Sequence, residues 1–470
     1  MFSKVLLILS GNAGAAFLTL LRNLLVARLI SVEDYGIAAT FAVVMAMVEV
    51  VSTFGLQQQI IQAKQDDPDW QAALQGFQVL RAAVSAGVLF VFAPQIAGFL
   101  GVPDIAWAYQ ILAIAPLMNG IVHLDIYRLN RQMVYLPLVL SQTGPALVSF
   151  LMVWPLWLWF GDWRVMLIAV VAQWVLMAGI SIAVSERRYR LRLERQTILG
   201  AVKFGWPLLV NSMLLFAVMN GEKLIVAREL GMATLAIFAM GFTLTLTPTL
   251  VMARSIQSFF LPQLSAVQGD DTRFQPLACT TIEANFFNGA LLIVGVVFVG
   301  APFVEIVLGE KYAPLIPLLT WLAILQALRV FKAGGAVVGL ARAKTENAMV
   351  SNLFRVLSLP LSWWAAVSTG DLLLVIWIAS MGEALGAVTS LILARYRAGV
   401  RLAPLTPFFI AITGLILAAM AQASWPSLAP TLPDWLGLLA TGVMFLLCLY
   451  TMRATRSFLR TRTLVRHETG

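Results

Sequence analysis

Leu24–Leu29 reads LLVARL and closes an apolar run that starts near residue 5. Two hundred residues further on, Leu224–Glu229 reads LIVARE and closes another. Each hexapeptide is followed by a short connector and a second apolar run. Working outward from the two copies, six apolar runs fall in each half of the chain. An even number per half brings both halves into a membrane from the same side, so the pattern predicts a parallel repeat about an axis along the membrane normal. Paired helical lobes of this kind, with a cleft between them, are a transporter architecture.

Composition demands a membrane. The 470 residues are 60% hydrophobic and 12% charged, with mean hydropathy +0.86. A soluble domain carries about 25% charge, and no soluble core hides so much apolar surface. Lipid must be the solvent, and in lipid the backbone must satisfy its own hydrogen bonds. The runs are continuous rather than alternating, which selects helices over a barrel.

About 20 residues cross the hydrocarbon core. The predicted spans are 5–30, 36–60, 77–100, 105–124, 134–160, 164–184, 204–229, 233–255, 280–308, 313–340, 347–368, 371–394, 403–424 and 435–453. The first reads as a span and not as a signal peptide, because it runs on to Ile30 past Arg22 without a processing end. GVPD (Gly101–Asp104) and GDW (Gly161–Trp163) split two pairs. The expected organisation is an all-α polytopic protein of about fourteen spans. It has an N-lobe (1–184), a basic linker (185–203) containing SERRYRLRLERQ, a C-lobe (204–395), two additional helices (396–453) and a basic tail (454–470).

The net charge of +9 fits membrane topology better than nucleic acid, because the basic residues sit between apolar runs. With the N-terminus inside, 22 basic residues fall in the tails and the loops on that side, 2 fall outside (Arg164 and Lys311), and 8 lie within spans. The reading is therefore an inner-membrane protein with both termini cytoplasmic.

Charges inside spans carry the functional reading. Each costs about 2.5–3.5 kcal/mol at mid-bilayer on insertion scales, so it should face the protein interior or a water-filled cavity. The cations are Arg22, Arg28, Arg81, Lys223, Arg228, Arg329, Lys332 and Arg355. The carboxylates are Glu49, Glu222, Glu283 and Glu383, with Asp125 at a span end. Cations outnumber anions, which suits a cavity for an anionic headgroup such as a pyrophosphate. Arg81 reads as an interfacial anchor, and Arg28 and Arg228, near outer span ends, can snorkel as well as line a cavity. Arg329 and Lys332, three apart, share a helix face. The carboxylates either pair with these cations or load a coupling proton or sodium ion.

Other features read as architecture. Gly335–Gly339 and Gly382–Gly386 match G-x-x-x-G and predict close helix packing. Pro116, Pro145, Pro207, Pro248 and Pro360 predict bends. WPLWLWF (Trp154–Phe160) reads as an interfacial belt. Cys279 and Cys448 read as free thiols, and His123 and His467 are too few for a metal site. No phosphate-binding loop, nucleophile elbow or zinc motif is present, so the reading includes no cofactor, no catalytic residue and no nucleic-acid partner.

At Ala27–Gln62 the chain reads ARLISVEDYG, a span, then FGLQQQIIQ. This resembles the Wzx-type polysaccharide flippases of the MOP superfamily. The matching positions are Ala27, Arg28, Ile30 (where the family usually has Leu), Tyr35, Gly36, Phe54, Gly55, Leu56, Ile61 and Gln62. The resemblance implies two six-helix lobes plus two C-terminal helices. It implies a polyprenyl-pyrophosphate-linked oligosaccharide repeat unit, moved to the periplasmic face by alternating access for exopolysaccharide, O-antigen or capsule synthesis, alongside polymerase and export machinery. Cavity arginines would hold the headgroup. The alternatives are a lipid II flippase, a multidrug exporter, or a membrane glycan polymerase or ligase; the last would need a sizeable outer loop, and the outer loops here are short.

Overall fold

A computed structural model describes residues 2–52, 56–62, 67–344, 346–424 and 435–458. Phe54, Gly55, Lys64, most of the Pro-rich stretch 423–433, and Arg460, Arg462, Arg466 and His467 of the tail lie outside the described residues, as do the side chains of Lys4, Gln62 and Pro207.

The described chain is helical, without a strand. It opens with α1 (Phe2–Leu29), α2 (Val32–Ser52), α3 (Leu56–Gln62) and α4 (Pro68–Phe99). A broken segment follows, made of α5 (Ala106–Leu112), α6 (Ile114–Ile121) and α7 (Asp125–Arg131). A second is made of α8 (Leu136–Leu151) and α9 (Val153–Phe160), and leads to α10 (Arg164–Ala183). Beyond the linker lie α11 (Arg195–Glu229), α12 (Met232–Ala266), α13 (Asp271–Val307), α14 (Ile316–Ala341), α15 (Glu346–Thr369), α16 (Leu372–Ala398), α17 (Thr406–Ala423) and α18 (Trp435–Thr451).

Each expected span falls on one helix or on a run of consecutive helices. Among the described residues, eight helices are long and apolar enough to cross a membrane, or nine when the pair bent by 46° between α6 and α7 counts as one. The faces turned away from the protein are apolar: on α4, Val84, Val88 and Val91 recur at helical spacing and are 52–65% exposed. The protein is an all-α, multi-pass membrane protein.

Several helices outrun the apolar stretch that predicted them. α11 begins at Arg195 rather than 204, α12 runs to Ala266 rather than 255, and α13 starts at Asp271 rather than 280. Apolar composition marks the hydrocarbon boundary, not the helix end, and nothing stops a helix from continuing into water. The ends are set by caps instead: Asp67, Asp270 and Asp371 each accept a backbone N–H in the first turn of α4, α13 and α16. Gly161, at φ 70°, ends α9 in the left-handed region where the sequence predicted a break.

The two helix breaks have a proline cause. A proline has no N–H for the carbonyl four residues back and its ring crowds that carbonyl. Four residues before Pro116 is Leu112, the end of α5; four before Pro155 is Leu151, the end of α8. Across Pro145, Pro248 and Pro360 the helices continue.

The chain divides into two compact units, Met1–Ala236 and Ile237–Gly470. In the first, α1 packs on α8, α4 on α6, α8 on α10, and α11 on α2 and α4. Because α11 packs there, the border between units falls later than the linker. Gly36 of the N-terminal motif sits where a Cβ would lie 1.9 Å from the Met232 carbonyl oxygen, so no side chain fits at that crossing. In the second unit α14 is central, packed on α13 and α16, while α15 packs on α16 and α17 on α18.

Candidate functional site

The second unit buries one carboxylate among three cations. Glu383 projects from the middle of α16 and is fully buried. Its Oε1 accepts from Arg329 Nε at 2.8 Å and from Arg355 Nε at 3.2 Å; its Oε2 accepts from Lys332 Nζ at 2.8 Å. Arg329 and Lys332 come from one face of α14, as their spacing predicted, and Arg355 from α15. Arg329 also donates to Gln326 Oε1 at 3.0 Å and lies over the Phe242 ring at 5.3 Å. Arg355 donates to Ser358 Oγ at 3.1 Å.

Small residues make this convergence possible. A Cβ at Gly386 would stand 2.7 Å from the Ser351 carbonyl oxygen, and one at Gly382 would stand 2.7 Å from Ser358 Oγ. A Cβ at Gly335 would stand 2.5 Å from Ser390 Oγ, and one at Gly339 would stand 2.7 Å from Asn347 Nδ2. Both G-x-x-x-G pairs therefore let α14, α15 and α16 approach to backbone contact. Three cations from two helices thus share one carboxylate.

The other sequence-named residues are dispersed. In the first unit Arg22 is buried on α1, donating from Nη1 to Ser149 Oγ at 2.9 Å and to Gln173 Oε1 at 2.5 Å. Arg28 and Arg228 occupy equivalent, exposed positions in the two hexapeptides, next to buried Ala27 and Ala227. Arg228 donates to Phe99 O at 2.9 Å, binding the carbonyl end of α4. Glu222 is buried, its neighbour Lys223 half-buried, and Glu49 is exposed on α2.

Glu283, buried on α13, accepts from the backbone N–H groups of Ala454 and Thr455 and from Thr455 Oγ1, at 2.7–3.2 Å. It caps the helical turn at 453–458 and ties the C-terminal segment to α13. Cys279 and Cys448 are free and buried, and no metal-binding group of His, Cys, Asp or Glu occurs among the described residues.

A second polar centre lies at the linker. Arg128 donates to both oxygens of buried Asp125 and to Glu186 Oε2 at 2.8 Å. The backbone N–H groups of Glu186 and Arg187 donate to Asp125 Oδ2 at 3.0 and 3.1 Å. Burial alone would raise the Asp125 carboxyl, but Arg128 and the linker N–H groups outweigh it and hold the group below the usual carboxylate range. Sequence reading names Asp125 only as a charge at a span end, and the linker only as basic. The available signal was the run of Gln71, Gln75 and Gln78, three to four residues apart and so on one face of α4.

The family model described as polysaccharide biosynthesis protein matches residues 25–317. The succinoglycan biosynthesis transport protein ExoT of Rhizobium meliloti (strain 1021) is 21% identical over 319 residues, covering 67% of this chain and 63% of that protein. The chain thus spans less than two thirds of that relative's length. The lipopolysaccharide biosynthesis protein WzxC of Escherichia coli (strain K12) is 21% identical over 351 residues, 72% of this chain and 69% of that protein. Among solved structures, lipid II flippase MurJ in an inward closed conformation superposes with a TM-score of 0.71 at 14% identity, covering 97% of this chain and 99% of that one.

Proposed function

Because this chain belongs to the polysaccharide biosynthesis protein family, we propose that it flips a polyprenyl-pyrophosphate-linked oligosaccharide repeat unit from the cytoplasmic to the periplasmic leaflet. The buried Arg329–Lys332–Arg355 cluster around Glu383 is the observation that carries this reading. Arginine forks match the oxygens of a pyrophosphate bidentately, and a buried group of two arginines and a lysine suits such a headgroup.

The fold suits the task. It is the MOP type, shared with MurJ. On this reading fourteen spans, in two six-helix repeats with two helices added, put both termini on one side of the inner membrane, and the excess of basic residues there makes that side the cytoplasm. Alternating access by the two repeats then carries a headgroup past the hydrocarbon while the polyprenyl tail stays in lipid. Arg22, Arg28, Lys223 and Arg228 are further candidate cations for the headgroup. Glu383 serves as counter-ion to the cluster. With its carboxylate held by three cations, it is poorly placed to carry a coupling proton or sodium ion, so Glu49 and Glu222 are the better candidates. The product feeds exopolysaccharide, O-antigen or capsule synthesis.

The extent of the likeness to MurJ favours lipid II as the second reading. Purified protein in proteoliposomes, loaded with a fluorescent polyprenyl-pyrophosphate glycan, separates them. Movement of a repeat-unit glycan to the leaflet where an added quencher reaches it is the expected result. Movement of lipid II alone would reassign the substrate, and movement of neither would remove the proposal.

A further inference from the structure

The linker between α10 and α11 is built into the first unit. Arg192 N donates to Ala72 O at 3.1 Å, and Gly76 leaves no room for a side chain, since a Cβ there would stand 2.2 Å from Arg192 O. Arg187 donates to Gln71 Oε1 at 2.6 Å, and His123 Nε2 lies 3.0 Å from Arg187 O. Tyr189 packs edge-on to the His123 ring and lies within 3.3 Å of Gln75 Nε2.

This docking encloses a pocket of about 170 Å³ lined by Gln71, Gln75 and His123, and by Arg187, Arg188 and Arg190. Pro68, the first residue of α4, lines one side. The neighbouring carboxylates are engaged elsewhere: Asp125 and Glu186 with Arg128, Asp69 with Arg192, and Asp67 as the N-cap of α4, accepting from Asp69 N. Arg187 is held by Gln71. Among the described residues, Arg188 and Arg190 take part in no hydrogen bond or ion pair, and both are exposed. The pocket sits where α10 ends and α4 begins, at the water boundary of two membrane helices.

We infer that this pocket binds a phosphate group, with Arg188 and Arg190 as its ligands and the Arg187 backbone, docked on the His123 ring, as its floor. Two sources share that chemistry: the headgroup of an anionic phospholipid at the adjacent leaflet, and free phosphate. The assignment stands on the pocket's geometry and is independent of the transport reading.

The test uses the full chain in detergent. Short-chain phosphatidylglycerol and phosphatidylcholine are probed by native mass spectrometry, and inorganic phosphate by calorimetry. The variant Arg188→Gln/Arg190→Gln removes two side chains without partners in the fold. Arg254→Gln/Arg453→Gln, two exposed arginines elsewhere, is the charge-matched control. The double variant at the pocket should weaken binding by about tenfold or more, the size of one lost charge-assisted contact, and the control should not. Arginine-dependent binding of phosphatidylglycerol alone identifies the lipid headgroup as the source; arginine-dependent binding of inorganic phosphate identifies the free anion. Binding of neither probe, equal binding by the wild type and the pocket variant, or phosphatidylcholine bound as tightly as phosphatidylglycerol would overturn the assignment.

Discussion

Gln75 and Gln275, two hundred positions apart, each hold backbone outside a helix with both atoms of the side-chain amide. Gln75 Oε1 accepts from Leu124 N at 2.9 Å, and its Nε2 donates to Val122 O at 3.2 Å. Gln275 Oε1 accepts from Arg401 N at 3.0 Å, and its Nε2 donates to Arg401 O at 2.7 Å. Each glutamine sits near the start of a long helix, after an aspartate N-cap at Asp67 or Asp270, and brackets backbone that is not helical. The offset is that of LLVARL and LIVARE, but the partners are not equivalent: two hundred residues after Val122 and Leu124 the chain is inside α14, not at Arg401.

Losing Gln75 leaves the Leu124 N–H unpaired, while Val122 O keeps a bond from Gln78 Nε2 at 3.1 Å. Gln75→Leu should lower stability by about 1–3 kcal/mol, the cost of one buried unpaired group. Gln275→Leu, at a more exposed contact, should cost less. Thermal unfolding of the two variants in detergent measures the difference.

Glu383→Gln leaves Arg329, Lys332 and Arg355 buried together without their counter-ion. Removing one partner of a buried ionic group costs about 3–5 kcal/mol. The variant should show a marked fall in melting temperature, partly restored when Lys332→Met is added. A melting temperature unchanged by Glu383→Gln would mean that the carboxylate does not hold the cluster.

Gly386 and Gly179 make a matched pair. A Cβ at Gly386 meets the Ser351 carbonyl oxygen at 2.7 Å, whereas at Gly179 nothing lies within 4 Å. Gly386→Ala should destabilise by about 1–3 kcal/mol through overpacking and pull Arg355 away from Glu383. Gly179→Ala should be neutral, or stabilising by up to about 1 kcal/mol. Melting curves of the two single variants decide this.

Acid should release the linker. α7 (DIYRLNR) lies beyond the end of its span, and its Asp125 titrates below the usual carboxylate range in the folded protein. A carboxyl whose folded value is depressed stabilises the fold above its unfolded value, and that contribution is lost as pH falls through the folded value. Linker amides 186 and 187 should therefore stay protected from hydrogen exchange at neutral pH and lose protection on acidification below the ordinary carboxylate range. In Asp125→Asn protection should be low at both.

The membrane fold was legible because lipid imposes one rule on every span, and that rule appears in composition. Local geometry was legible too: Arg329 and Lys332 do share a face, and both G-x-x-x-G pairs do pack. What sequence hid was tertiary. Nothing in the spacing of Arg355 and Glu383, 28 residues apart on two helices, says that they meet. Glu283 looked like a membrane carboxylate available for coupling, yet its partners are amides 171 and 172 residues away. The linker read only as a basic connector, because its backbone makes much of the docking and backbone groups have no sequence signature.

The most direct measurement of the transport reading is mass spectrometry of polyprenyl-linked glycans from cells with and without this protein, with the leaflet of each species probed in the same cells. The expected result is accumulation of one lipid-linked oligosaccharide in the cytoplasmic leaflet on depletion, its mass giving the repeat unit. Accumulation in the periplasmic leaflet would point to a block after flipping, and it would contradict the assignment.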